Sequence, residues 1–99
     1  LYVDPSLIMY VEAADKHCIL HTTDGSTEVH RLLGDVEQLL PTDFLRISRK
    51  HVVNRAYLLN VASSTVTLVD GTELPVPKRR MPEVRRALKK AGQEGSGRA

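Results

Sequence analysis

The 99-residue sequence has no tryptophan, one phenylalanine and three tyrosines. So few rings leave little on which single-stranded bases could stack, which argues against an RRM-like aromatic sheet. A single cysteine, Cys18, cannot close an internal disulfide, so nothing points to a secreted, disulfide-stapled fold. No apolar run approaches the roughly 18–20 residues that cross a bilayer. No charged segment followed by an apolar one opens the chain as a secretory leader would. The Walker loop, G-x-G-x-x-G and G-x-S-x-G are all missing. With no catalytic constellation present, the chain is expected not to be an enzyme.

What is present is a charge asymmetry hidden under a formal net charge of +2. Residues 1–43 carry two basic side chains, Lys16 and Arg31, against eight acidic ones, whereas residues 44–99 carry twelve basic and four acidic. One half can therefore meet a polyanion while the other avoids it; a solvated basic face gives the same composition. The length suits one domain with one modest core. The first residue is Leu, which leads us to expect a piece of a longer protein whose signal-sensing part lies upstream.

Short β-branched and aromatic runs at residues 6–12 and 17–22 read as strands, and Asp24-Gly25 is a hairpin turn signal into residues 26–32. Gly34 breaks the pattern. Asp35–Leu40 then carries apolar residues at helical spacing, with acids in the first turn and Pro41 as its end. Residues 44–54 read as two short strands around a cationic interruption, Ser48-Arg49-Lys50-His51, and residues 54–57 as a turn. Strands at 58–62 and 65–69 follow, and Asp70-Gly71 turns the chain into a last strand at 73–76. From Met81 to Lys90 the spacing of Met81, Val84 and Leu88 predicts a helix with Pro82 in its first turn. The glycines of residues 92–99 predict a disordered tail after a single domain over 1–91. Without βαβ alternation, the expected class is mainly β, built of hairpins, with a short internal helix and a C-terminal helix.

His17 and His21 would share a strand face about 13 Å apart, too far to hold one zinc ion, so no metal or other cofactor is expected. Cys18, on the opposite face, is expected as a small core residue. Three basic clusters remain: Arg46, Arg49, Lys50 and Arg55; Lys78-Arg79-Arg80; and Arg85, Arg86, Lys89 and Lys90. The first two fall where strands break into loops, so side chains can project from a rigid base toward a guanine edge or a phosphate. The third lies on a helix, where a solvated face explains it equally well.

The stretch Phe44 to Asn54 resembles the central signature of the LytTR family, with matches at Phe44, Arg46, Arg49, Val53 and Asn54. Asp70-Gly71 through Lys78-Arg79 resembles its second signature, and Tyr10-Val11-Glu12-Ala13 its first strand. The resemblance spans residues 7 to about 90. It implies an elongated stack of small antiparallel sheets that binds double-stranded DNA through loops instead of a recognition helix. It also implies two copies bound on tandem repeats, and a place in the cytoplasm as the output domain of a bacterial transcription or response regulator. Carried over residue by residue, it places base contacts at His17, Arg49 and Arg79, and phosphate contacts at Lys16, Arg46, Lys50, Lys78 and Arg80. Ser48 stands where the family has His, Lys50 where it has Ser, and Pro77-Lys78 where it has Ser-Arg; these departures bear on the base sequence recognised more than on the fold. Asn54 reads as structural, bonding its own turn. A β-rich protein-interaction module and an RNA binder using the same loops are the alternatives, and salt dependence and competition by RNA would separate them.

Overall fold

The computed structural model describes the backbone of residues 3–96, with side chains as far as residue 88. A 3-10 turn at Pro5–Leu7 leads into β1 (Ile8–Ala13), β2 (Cys18–Thr22) and β3 (Gly25–Val29), followed by α1 (Leu33–Leu39). Next come β4 (Phe44–Arg46), β5 (His51–Asn54), a 3-10 turn at Arg55–Tyr57, β6 (Leu58–Val61), β7 (Thr65–Leu68) and β8 (Glu73–Pro75). A third 3-10 turn, Lys78–Arg80, runs into α2 (Met81–Ser96). The strands form two antiparallel sheets, one of five strands ordered β3-β2-β1-β5-β4 and one of three ordered β6-β7-β8. The molecule is elongated, 41 × 29 × 24 Å. The mainly β class with two helices thus stands as the sequence reading has it.

The five-stranded sheet is covered on both faces, and its sequence shows why. Val52 and Val53 are neighbours on β5 and point to opposite sides. Val52 joins Ile8, Val11, Cys18 and Leu20 under α1, which contributes Leu33 and Val36. Val53 joins Ile47 and the inner residues of the second sheet, Leu58, Val66, Leu68 and Leu74, with Met81 and Val84 of α2 closing that core. All four residues of β5 are consequently buried. Ile8 and Val11 are three apart and would face opposite sides of a regular strand. A register irregularity between Ile8 and Tyr10 turns both toward α1. Cys18 is wholly buried in the same core, as expected, and burial pushes its thiol pKa up.

Several boundaries differ from the sequence reading, those of β1, α1 and α2 among them. The first strand starts at Ile8, because the Asp4 carboxylate accepts from the Ser6 N–H and hydroxyl and caps the Pro5–Leu7 turn. Gly34 lies inside α1 and does not precede it; one glycine in a first turn costs less than the burial of Leu33 and Val36 returns. The helix α2 continues past residue 91 to Ser96, into the segment read as tail, while 97–99 lie outside the described residues. The two Asp-Gly turns form where expected, with Gly25 at φ 141° and Gly71 at φ 94°, a region a side chain would strain.

Candidate nucleic-acid interface

The connection between β4 and β5 is a tight turn. The N–H groups of Ile47 and Ser48 both point at the His51 carbonyl, at 3.1 and 3.4 Å. Ile47 is fully buried and anchors the turn in the second core, leaving Arg49 and Lys50 exposed at its tip. The Ala13 N–H donates to the Lys50 carbonyl at 2.7 Å, which brings the β1–β2 turn alongside. After β8, Val76 is buried and bonded through its N–H to the Ser64 carbonyl, while Lys78 and Arg79 stay exposed on the 3-10 turn. Arg49, Lys50 and Arg79, with Ser48, His51, Pro75 and Pro77, line one concavity of about 420 Å³. Turns from two different sheets therefore place their cations on one surface. Two prolines stiffen its far wall.

The structure sorts the central basic cluster into two kinds. Arg55 turns away to Asp43, at 3.1 Å. Arg46, expected at a phosphate, turns inward. Its Nη1 meets Glu37 Oε1 of α1 at 2.6 Å, its Nε donates to the Ser48 carbonyl at 2.7 Å and its Nη2 to the Arg49 carbonyl at 3.2 Å. Three of its five N–H donors are thus spent within the chain. Arg80 is likewise half-buried and donates from Nη1 to the Arg46 carbonyl at 3.3 Å. Lys16, Lys50 and Lys78 are exposed, as a phosphate contact requires. On α2, Arg85 and Arg86 are exposed; the side chains of Lys89 and Lys90 lie outside the described residues.

His17 closes the β1–β2 turn, where the Ala14 N–H donates to its carbonyl at 2.9 Å. Its ring leans toward β3, with Nε2 3.6 Å from Glu28 Oε2 and the His30 ring 6.0 Å away, and it is not among the residues that line the concavity. His21 shares its face but takes a different carboxylate, Glu12, at 3.0 Å. Among the described residues no three His, Cys, Asp or Glu side chains group to hold a metal ion.

Sequence reasoning passed over His51. Its ring is buried beneath the turn, with Nδ1 3.3 Å from Ser48 Oγ and Nε2 4.0 Å from Glu12 Oε2. Ser48 Oγ in turn accepts from the Lys50 N–H at 3.1 Å. Burial holds the His51 pKa below the ordinary histidine value, opposed by Glu12 and reinforced by His21 and Lys50. Tyr10 stacks on His21 at 4.2 Å and lies 6.0 Å from His51, completing a polar layer under the cationic turn. The only sequence sign of this layer is the period-2 placement of Tyr10, Glu12, His17, Ile19 and His21 on one face.

The chain and its fold are similar to those of known proteins. Residues 1–89 match the LytTr DNA-binding domain family. Over 92 residues the chain is 34% identical to the sensory transduction protein LytT of Bacillus subtilis (strain 168), a match that takes in 87% of this chain and 38% of that relative. The chain thus spans well under half the length of this curated relative. The fold is similar to a solved LytTr DNA-binding domain, from a protein of Bacillus cereus described as a methyl-accepting/DNA response regulator. The TM-score is 0.76 at 26% identity, over 89% of this chain and 86% of that one.

Proposed function

The chain belongs to the LytTR family of DNA-binding domains, and from that membership we propose that its turn-bearing end enters successive major grooves of double-stranded DNA. Arg49 and Arg79 read base edges, each able to bond O6 and N7 of a guanine through its planar fork. His17 contacts a base from the neighbouring β1–β2 turn. Lys16, Lys50 and Lys78 meet phosphates, setting the register without reading sequence. Two copies bind tandem repeats and bend the duplex, adding selectivity at bases that no side chain touches. In the whole protein this domain is the cytoplasmic output of a bacterial signal-responsive transcription regulator.

The observation that carries this reading is the shared concavity, where exposed cations from two sheets converge. A helix is not needed to fill the groove when turns held by a rigid core can do so. The test starts with selection of a preferred duplex from a random pool. Binding to it and to a scrambled duplex is then followed across salt concentrations, with duplex RNA as competitor. Affinity that falls steeply with salt, favours the selected duplex and resists RNA supports the reading. Equal affinity for selected and scrambled duplexes overturns sequence-specific recognition.

A further inference from the structure

One guanidinium braces the cationic turn from outside its own backbone bonds. The carbonyls of Ser48 and Arg49 lie on either side of the Arg49 residue, and Arg46 donates to both, through Nε at 2.7 Å and Nη2 at 3.2 Å. The peptide units before and after Arg49 are therefore tied to the same rigid plane. Nη1 is anchored at 2.6 Å to Glu37, which belongs to α1 on the far side of the strand. The main-chain carbonyl of Arg46 receives the Arg80 guanidinium at 3.3 Å, so the same residue touches the neighbour of Arg79. Arg46 thus connects both turns of the concavity and α1.

We propose that Arg46, anchored by Glu37, is a positioning residue that fixes where Arg49 and Arg79 stand relative to each other, and so sets base selectivity without itself touching DNA. This rests on the reading that Arg49 and Arg79 meet base edges. A phosphate contact could be served by any cation, because it is a point-charge interaction. The bracing role cannot. Three bonds in three directions from one plane need the guanidinium fork, and a lysine ammonium on a flexible stem does not reproduce them. Displacement of a base-reading arginine by a fraction of a bond length lengthens both members of a bidentate pair, so selectivity is lost before charge is.

The experiment compares Arg46→Lys, Glu37→Gln and Arg49→Ala, with the double variant Arg46→Lys/Arg49→Ala, on the selected and scrambled duplexes over a salt series. Arg46→Lys is expected to lose about tenfold on the selected duplex, the equivalent of about 1.4 kcal/mol. It should lose little on the scrambled one and keep the wild-type salt slope. Glu37→Gln, which turns the charged anchor into a neutral acceptor and removes no cation, should lose selectivity in the same direction. In the Arg49→Ala background Arg46→Lys should cost much less than it does alone, because the side chain it positions is gone. Wild-type selectivity in Arg46→Lys, or the full loss persisting without Arg49, overturns the proposal. A further variant, Arg46→Gln, removes the charge, and a salt slope flatter by about one unit in it overturns the proposal in favour of a phosphate contact. If Arg46→Lys melts below the assay temperature, Glu37→Gln decides, since it leaves the bonds from Arg46 to both carbonyls in place. Failure of the base-reading premise looks different: Arg49→Ala and Arg79→Ala would then weaken both duplexes equally.

Discussion

Arg49 and Arg79 sit on turns that belong to different sheets, yet both line the same concavity. The turn bearing Arg49 is pinned by Ile47 and the one bearing Arg79 by Val76 and Met81, all members of one hydrophobic core. A rigid core therefore fixes the spacing between the two turns that carry them. On the proposed reading, two such points would meet two positions of a duplex. Each alanine substitution should cost about 1–3 kcal/mol on the selected duplex and relax preference mainly at its own position. Binding to duplexes altered one base pair at a time measures this. A loss spread evenly over every duplex would remove the residue from base reading.

Lys50 stands beside Arg49 but carries a point charge on a flexible stem. Lys50→Ala should weaken selected and scrambled duplexes alike and flatten the salt slope by about one unit. Lys78→Ala should behave the same way. A change in base preference for either variant would show that the lysine reads a base.

Beneath that turn, burial lowers the His51 pKa below the ordinary histidine value. The groups facing it are Glu12 and Tyr10 from β1, His21 from β2, and Ser48 and Lys50 from its own turn, with Arg49 and Arg79 along the same hollow. A histidine whose folded pKa is depressed contributes stability that is complete above its unfolded value, about 6.5, and is lost as pH falls through the folded value. Below that window the protonated ring would repel Lys50 and disturb the contact with Ser48. Denaturant unfolding at a series of pH values should therefore show wild-type stability dropping as pH falls from about 6.5, more steeply than in His51→Gln. Equal pH slopes for the two proteins would contradict the assignment.

Much of this was legible from local pattern. Both Asp-Gly turns, the buried Cys18, the α2 face of Met81, Val84 and Leu88, and the projection of Arg49 and Arg79 follow from period, turn chemistry and position in a loop. What stayed hidden depends on residues distant in sequence. That β5 inserts beside β1 is a long-range pairing with no local signature. The fate of Arg46 depends on Glu37, which reaches it only once α1 is packed, so a cation in a signature motif looked no different from its exposed neighbours. The lean of His17 toward Glu28 is a cross-strand contact of the same kind.

Asn54 gives the sharpest separation of structure from recognition. It closes the central signature, yet the residue is 4% exposed and its amide bonds through both ends. Nδ2 donates to the Ile8 carbonyl at 3.0 Å, and Oδ1 accepts from the Ala56 N–H at 3.0 Å. One amide thus ties the first strand to the turn that leads into the second sheet. Asn54→Ala leaves a buried carbonyl and a part-buried N–H unpaired, which should lower stability by about 1–3 kcal/mol. Asn54→Asp keeps the acceptor for Ala56 but sets a buried negative oxygen against the Ile8 carbonyl, so it should be the worse of the two at neutral pH. Urea unfolding reads both, as a lower midpoint at an unchanged slope. The folded fraction of Asn54→Ala should still prefer the selected duplex by the wild-type ratio, because the side chain is buried between the first strand and the turn into the second sheet. A changed ratio in a fully folded sample would place Asn54 in the reading surface after all.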